Sequence, residues 1–438
     1  MGMTELQVDS SEKTGIGNKP GWWFWLAIVL GLTIRIYFVG FTEGTYDADI
    51  WRNQAEGIHK EGLINYYHTT QQTIQPMNHP PLICLMVSWL WDISQATGIA
   101  FRILFRAPFV LLDFGSTLLL LQLFKNNRYR FLIGACYWLH PLAMIFSAYH
   151  GNTDSSVAFF LLLCVWLLSK DKIIWAAAAM GVSLWVKLPG VMAMPAFLFY
   201  LPNWRKRFMF LGAAGIVGIS TYLPAFFKDA AVVYENVFGY RAQLIQTAAG
   251  MQIWGTGILL AQALKALPPA LQDKLFGPFG FLVLKSQYIA MLLIVLFSWL
   301  RREKRAIGDL GLTIAGIYTI LYGFSNYWSF QYFAWSIPFW FFASPRFFIT
   351  ASALSSAYIY SLYRLVCGNF FLLGKWDFIG HPNWPYIVAF FRDFAVLFFF
   401  ISACVFLGSA IYEQVFHRHK PMKTSNENPD NIPDYPAH

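Results

Sequence analysis

From Trp22 to Ile411 the chain repeats one pattern: apolar runs long enough to cross a bilayer as helices, separated by short polar breaks. A hydrocarbon layer asks for roughly 20 apolar residues per helical span, so the pattern predicts an all-α, polytopic transmembrane helical bundle. The breaks are of two kinds. Compact basic clusters stand at 125–130 (KNNRYR), 170–172 (KDK), 203–207 (NWRKR) and 301–305 (RREKR), and HRHKPMK follows the last run. Lys and Arg in short loops stay on the cytoplasmic side, so these breaks are expected inside. The segment after Gly40, HGNTDS at 150–155, VKLPG at 186–190, about 228–278, SNYWSFQYF at 325–333 and about 368–388 then fall on the opposite face. Keeping KNNRYR inside requires 82–98 to be a re-entrant or interface-lying helix, which leaves about twelve spans with both termini inside. Residues 173–187 and 190–202 are short for spans, with Pro189 breaking the helix between them.

The expected organisation is a cytoplasmic tail over 1–21, a transmembrane domain over 22–412 and a disordered cytoplasmic tail over 413–438. The domain carries a first extracytoplasmic loop at 41–81 and a second large one at 228–278. The first apolar run lacks a small-residue cleavage site, which reads as a retained span.

Composition agrees with a membrane solvent. Charged residues make up 13% and hydrophobic residues 57%, against about 25% charged in soluble domains. Aromatics reach 19%, with 18 Trp and 22 Tyr, as interfacial belts require. The net charge of +9 is gathered in loop clusters, so it reads as a topology signal rather than a nucleic-acid surface. Five cysteines show no paired spacing, hence no disulfide framework and no metal motif. No Walker loop and no GxGxxG are present, which argues against a nucleotide-binding domain.

Chemistry gathers on the face opposite the basic clusters. After the first run come Tyr46, Asp47, Ala48, Asp49, Ile50, Trp51 and Arg52, then Glu56, His59 and NHPP at 78–81 with His79. On a strand-like loop Asp47 and Asp49 share a face; on a helix they diverge by about 200°. A carboxylate here serves as a helix N-cap for 48–60 or as a general base just above the bilayer. HGNTDS brings His150 and Asp154; a plain turn explains its composition equally well. Lys187 precedes Pro189, where snorkelling is the bland alternative. Tyr240 and Arg241 lie in an extracytoplasmic loop, where an Arg serves no topological purpose. Gln331 and Tyr332 precede a Trp/Pro-rich span and double as belt residues. Together these are a proton acceptor, Asp47, cations suited to a phosphate, Lys187 and Arg241, and polar groups suited to a sugar. On a face where nucleotide-activated sugars are scarce, a lipid-phosphate-linked sugar is the natural donor.

At these residues the chain resembles the GT-C glycosyltransferases, multi-span enzymes that use polyprenyl-phosphate sugars. YDADIWRNQAEGI is similar to the first-loop signature of the dolichyl-phosphate-glucose glucosyltransferases. Asp47 falls on their catalytic aspartate, Asp49 on a Glu and Arg52 on an Arg. Asp47-Ala-Asp49 equally resembles the DxD of the first mannosyltransferase of glycosylphosphatidylinositol assembly, and HPPL at 79–82 its YPPL. HGNTDS is similar to a turn of the same enzymes and of bacterial polyprenyl-phosphate-mannose mannosyltransferases. Lys187 falls where they place a Lys, and YRAQ followed by WGTG from Trp254 is similar to their Arg-then-aromatic loop. SFQYF departs from the His-Glu-Lys of the oligosaccharide glucosyltransferases and leans towards the bacterial relatives.

The resemblance implies an inverting transfer of a hexose, mannose or glucose, from a polyprenyl-phosphate carrier to an acceptor hydroxyl on a glycan, glycolipid or protein. The catalytic residue implied is Asp47, with Asp49 as second carboxylate and Arg241, Lys187 and Arg52 on the donor phosphate. His79, His150, Asp154, Tyr240, Trp254, Gln331 and Tyr332 would line the substrate. Metal need stays open at this point: Asp47 and Asp49 either bind a divalent ion or act alone. The setting expected is a bacterial cytoplasmic membrane, with the site on the extracytoplasmic face. A secondary transporter or flippase for a lipid or sugar is the alternative; it predicts internal repeats, and none is found.

Overall fold

A computed structural model describes residues 19–73, 76–239, 254–326, 329–374, 376 and 385–416. Among these, all regular structure is helical. The order begins α1 (Trp22–Phe41), α2 (Tyr46–Glu61), α3 (Leu63–Thr70), α4 (Pro81–Thr97), α5 (Phe101–Leu123) and α6 (Arg130–Trp138). It continues with α7 (Pro141–Met144), α8 (Asp154–Leu168), α9 (Ile173–Val186), α10 (Met194–Tyr200), α11 (Trp204–Ser220) and α12 (Leu223–Val233). The last are α13 (Thr256–Lys265), α14 (Pro269–Leu300), α15 (Ile307–Phe324), α16 (Pro345–Cys367) and α17 (Tyr386–Phe416). Many ends follow local chemistry. Asn203 and Ser344 cap α11 and α16 by accepting the N–H of Lys206 and Phe347, satisfying donors that a helix start leaves free. Gly98, left-handed at φ +72°, closes α4, a conformation only glycine takes without strain.

Among the described residues, five helices are long and apolar enough to cross a membrane: α1, α5, α14, α15 and α17. The total rises to seven if the bent pairs Arg130–Trp138 with Pro141–His150 and Trp204–Ser220 with Leu223–Phe238 each count as one span. This is fewer than the expected twelve, for a physical reason. Pro141, Pro189 and Pro338 stand at breaks where runs change to short helices, 3-10 turns or a π turn, because proline removes a donor and clashes with the preceding turn. The helices Asp154–Leu168, Ile173–Val186 and Leu188–Tyr200 are apolar but short. Residues 82–98, expected as a re-entrant or interfacial helix, form α4.

The faces are those of a protein in lipid. In α15, 72% of the apolar window is buried, against 22–39% in the other four long helices; α15 is the central post and the rest present apolar faces outward. Phe227 is 86% exposed, an arrangement that suits hydrocarbon rather than water.

The segment 41–81 is folded rather than loop-like. Trp51, Ala55 and Ile58 of α2, Tyr67 of α3 and Met77 form one buried cluster with Ile83, Val87, Phe105, Tyr222 and Val233. A second, larger cluster runs through α8, α9, α15, α16 and α17. The two meet where α1 ends and α2 begins.

Two buried arginines fix that junction. Arg35 is fully buried, pairs with Asp113 at 3.0 Å, lies 3.8 Å from the Trp138 ring centroid and donates to the Trp138 carbonyl at 2.7 Å. Asp113 also accepts from Ser147 at 2.6 Å and Tyr137 at 3.3 Å. A buried pair survives only when its remaining lone pairs are satisfied in this way. Through Ser147 it holds the π turn Ile145–His150, the irregular kind of turn often found at functional sites. Arg106, fully buried on α5, donates to the carbonyls of Phe38 at 3.2 Å, Thr42 at 3.0 Å and Glu43. It is wedged between Gly44 and Gly151, both left-handed: a Cβ on Gly44 would lie 1.7 Å from Arg106 Nη2, and one on Gly151 2.5 Å from its Cγ. One side chain therefore braces both the segment entering α2 and the turn leaving His150.

Candidate active site

Four segments converge at this junction. The first turn of α2 carries Asp47, a position where the helix macrodipole favours an anion. The π turn ends on His150, and Gly151, at φ +66°, reverses the chain into Asn152, Thr153 and α8, which starts at Asp154. Lys187 stands where α9 ends, in extended conformation at φ −159°. The fourth segment is the 3-10 turn Phe330–Trp335.

The side chains form one hydrogen-bonded row. His150, fully buried, meets Asp47 Oδ2 through Nε2 at 2.8 Å, and Asn152 Nδ2 donates to the same oxygen at 3.3 Å. Lys187 Nζ donates to Asn152 Oδ1 at 3.3 Å and to Asp154 Oδ2 at 2.7 Å. Asp154, buried completely, accepts from Trp335 Nε1 on its other oxygen at 2.6 Å. His150 Nδ1 is hydrogen-bonded to the hydroxyl of Tyr363. Phe330 and Trp376 stand 5.8 and 6.1 Å from the His150 ring. Among the described residues both donors to Asp47 act on Oδ2, and its side chain is 30% exposed; Oδ1 is the oxygen left to a ligand.

Burial acts to raise the Asp47 pKa. The charge and hydrogen bond of His150, then the charges of Lys187 and His79, outweigh it and hold the group below its ordinary value. Asp47 is therefore a carboxylate at neutral pH, able to accept a proton. His79 moves the other way. Burial, followed by the Lys187 charge, pushes its pKa down to about 3 against the opposing pull of Asp47, so it is a neutral imidazole. Its ring lies 4.3 Å from that of Trp51, its buried Nδ1 has no hydrogen-bond partner among the described residues, and Tyr67 holds its carbonyl at 2.6 Å.

Of the residues singled out in the sequence, Asp47, His150, Asp154 and Lys187 come together directly, and His79 joins them electrostatically. Tyr332 stacks on Trp335 with centroids 4.2 Å apart, and its ring centre is 5.7 Å from Lys187 Nζ. Gln331, beside it, accepts a hydrogen bond from Ser329. Asp49 is different. Because 46–61 is a helix rather than a strand-like loop, Asp49 diverges from Asp47 and pairs at 3.3 Å with Arg52, itself 51% exposed. Neither reaches the row. Trp254, expected against substrate, is fully buried among Phe333, Tyr358 and Phe399, with its indole N–H on the Tyr322 carbonyl at 2.9 Å. Tyr240 and Arg241 lie outside the described residues. Glu56 and His59 pair at the surface with Lys60 and Asp92.

Sequence reasoning missed Asn152, Trp335, Tyr363, Trp376 and Arg106. Asn152 lay inside a motif already singled out. Trp335 was within a run read as an aromatic belt. Tyr363 sits 213 residues from His150 in an apolar run with no local signal. In comparison with known proteins, the chain matches no family model and no curated protein.

Proposed function

We propose that this chain is a membrane-embedded, inverting glycosyltransferase of GT-C type. It moves a hexose, mannose or glucose, from a polyprenyl-phosphate carrier to an acceptor hydroxyl. The proposal includes the topology expected from the basic loops: about twelve crossings, short helices included, with the site on the extracytoplasmic face of a bacterial cytoplasmic membrane. The observation that carries it is the Asp47–His150–Asn152–Lys187–Asp154 row. It offers an ionised carboxylate, with one oxygen to which no described residue donates, beside a cation, where apolar spans end.

In this reading Asp47 Oδ1 takes the proton of the acceptor hydroxyl as its oxygen bonds to the anomeric carbon. The bond from that carbon to the phosphate oxygen breaks, and its electron pair leaves with the polyprenyl phosphate. Positioned general bases contribute about 10²–10⁴-fold. Lys187, which Asp154 and Asn152 hold in place, meets the developing phosphate charge, and Arg241 is assigned to the same phosphate. Preorganised cations of this kind are worth most where water is excluded. Asp49 and Arg52, at the exposed edge, are assigned to acceptor or headgroup contact rather than to the bond-making step. A divalent ion remains a testable companion of Asp47.

The test is purified protein in nanodiscs with a panel of polyprenyl-phosphate hexoses, scored for transfer to extracted acceptors. Asp47→Asn keeps the size and removes the base, so turnover should fall at least about 10²-fold while donor binding persists. Asp49→Asn should cost clearly less. Equal losses in both, reproduced by chelator, would replace the lone base with a metal site. Uptake of free sugar into proteoliposomes without any lipid phosphate would replace the enzyme with a transporter.

A further inference from the structure

We propose that Tyr363 is a positioning residue that donates to His150 Nδ1, holding the ring singly protonated on Nε2 and so keeping Asp47 a fixed, hydrogen-bonded anion. The role in turnover rests on the transferase reading above; the tautomer itself does not.

The assignment follows from counting donors and acceptors along the row. Lys187 has only protons to give, so the atom of Asn152 facing it at 3.3 Å is the amide oxygen. Thr153 donates to that same oxygen at 3.2 Å. The amide nitrogen of Asn152 is thereby turned towards Asp47 Oδ2, 3.3 Å away. Asp47, ionised, accepts and cannot donate. His150 Nε2, 2.8 Å from the same oxygen, must carry a proton, or two lone pairs would face each other.

The other ring nitrogen then has two options. In the neutral ring Nδ1 accepts, and the Tyr363 hydroxyl donates to it. In the doubly protonated ring Nδ1 donates to the Tyr363 oxygen, and the phenol proton needs another acceptor. Among the described residues none lies within hydrogen-bond reach of that hydroxyl apart from His150. The side chain is fully buried, and a buried donor left unmade is costly. In the neutral ring with Nε2–H, Nε2 and Asn152 Nδ2, 3.4 Å apart, both give a proton to Asp47 Oδ2 and the Tyr363 hydroxyl gives its own to Nδ1, so Asp47 and the hydroxyl of α16 together fix the ring.

Phenylalanine at 363 removes the donor to Nδ1. That nitrogen is then buried without a partner, the ring is free to tilt or take a second proton, and the Nε2–H that fixes Asp47 loosens without any change in the groups that touch substrate. Enzymes that lose the orienter of a catalytic imidazole lose turnover far more than binding.

The experiment is ¹⁵N NMR of histidine-labelled protein in proteoliposomes, with the His150 signals assigned by their loss in His150→Gln. It is paired with kcat and KM for hexosyl transfer in wild type and Tyr363→Phe. Wild type should show a protonated Nε2 and a bare Nδ1 at neutral pH. Tyr363→Phe should show a moved Nδ1 signal, from loss of its donor or gain of a second proton, with kcat down about 10-fold or more and donor KM nearly unchanged. A wild-type ring protonated on Nδ1, singly or doubly, overturns the proposal, as do unchanged shifts in Tyr363→Phe. The wild-type spectrum decides this even if the variant fails to fold. Absence of transfer with every donor would instead remove the transferase reading and leave the tautomer result standing.

Discussion

Arg106 offers the sharpest test of how the site is built. Its guanidinium serves three carbonyls, that of Phe38 in the last turn of α1 and those of Thr42 and Glu43 between α1 and α2. Hydrogen bonds from a charged donor contribute about 1.5–3 kcal/mol each, and acceptors stranded by losing one partner add their own penalty. Arg106→Met should therefore destabilise by about 3–5 kcal/mol, the cost of breaking a buried polar unit. For a chain of this length that is a fall of about 3–5 °C in the thermal midpoint. Gly44→Ala should reach the same lesion from the other side. Its Cβ would stand 1.7 Å from Arg106 Nη2 at a backbone φ of +83°, so the guanidinium must leave its carbonyls. The left-handed backbone adds about 1–2 kcal/mol. Because both substitutions break one brace, the double variant should fall short of the sum by about 2 kcal/mol or more, as residues sharing a partner do. Thermal unfolding in detergent, followed by tryptophan fluorescence at a fixed scan rate, supplies all four corners of the cycle. Full additivity, or an Arg106→Met variant as stable as wild type, would refute the brace.

Topology and pH furnish two further tests. A cysteine at exposed Glu61, in a Cys404→Ser background, should react with an impermeant thiol reagent from outside intact cells. One at exposed Asn126 should react only after permeabilisation; the reverse pattern would put the site on the wrong face. His79 has a folded pKa lowered from 6.5 to about 3, so between those values the unfolded chain binds the proton that the folded one refuses. Its contribution to stability is complete above pH 6.5 and drains away as pH falls towards 3. His79→Gln should flatten the stability profile across that window, and an unchanged slope would show that the imidazole is not held neutral.

The helical class and the membrane setting were legible because apolar runs of bilayer length leave few other folds. The number of crossings was less so. Pro141 and Pro189 mark breaks in a sequence, but not whether the two halves continue as one bent span, nor the angle between them, which is 45° after Trp138 and 81° after Ser220. Asp47, His150, Asp154 and Lys187 could be picked out because each is a charged or titratable side chain at the end of an apolar run, where it needs a reason. Asp49 was grouped with Asp47 on the assumption of an extended loop; the helix that forms instead separates them by rotation alone. Tyr363, Arg106 and Trp335 could not be found. Their partners lie in other helices, and a tyrosine or tryptophan in an apolar run looks the same whether it faces lipid or a buried carboxylate. Trp254 shows the converse, a residue flagged by motif whose indole is spent on the Tyr322 carbonyl.

Hydrogen-bond accounting also explains why one carboxylate, and not its neighbours, is assigned the chemistry. Asp113 has Arg35 and Ser147 on one oxygen and Tyr137 on the other. Asp154 has Lys187 on one and Trp335 on the other. Both are closed, and each does structural work: Asp113 steadies the π turn, and Asp154 steadies the lysine. Among the described residues, Asp47 alone of the three has every donor on a single oxygen and a partly exposed side chain. A carboxylate closed on both sides can accept a proton only by giving up a partner. One that is held on one side and open on the other can accept it without moving, which is the geometry a general base requires. The surrounding residues thus appear in two layers: those that spend their polarity on one another, and Asp47, which they leave with one oxygen unspent.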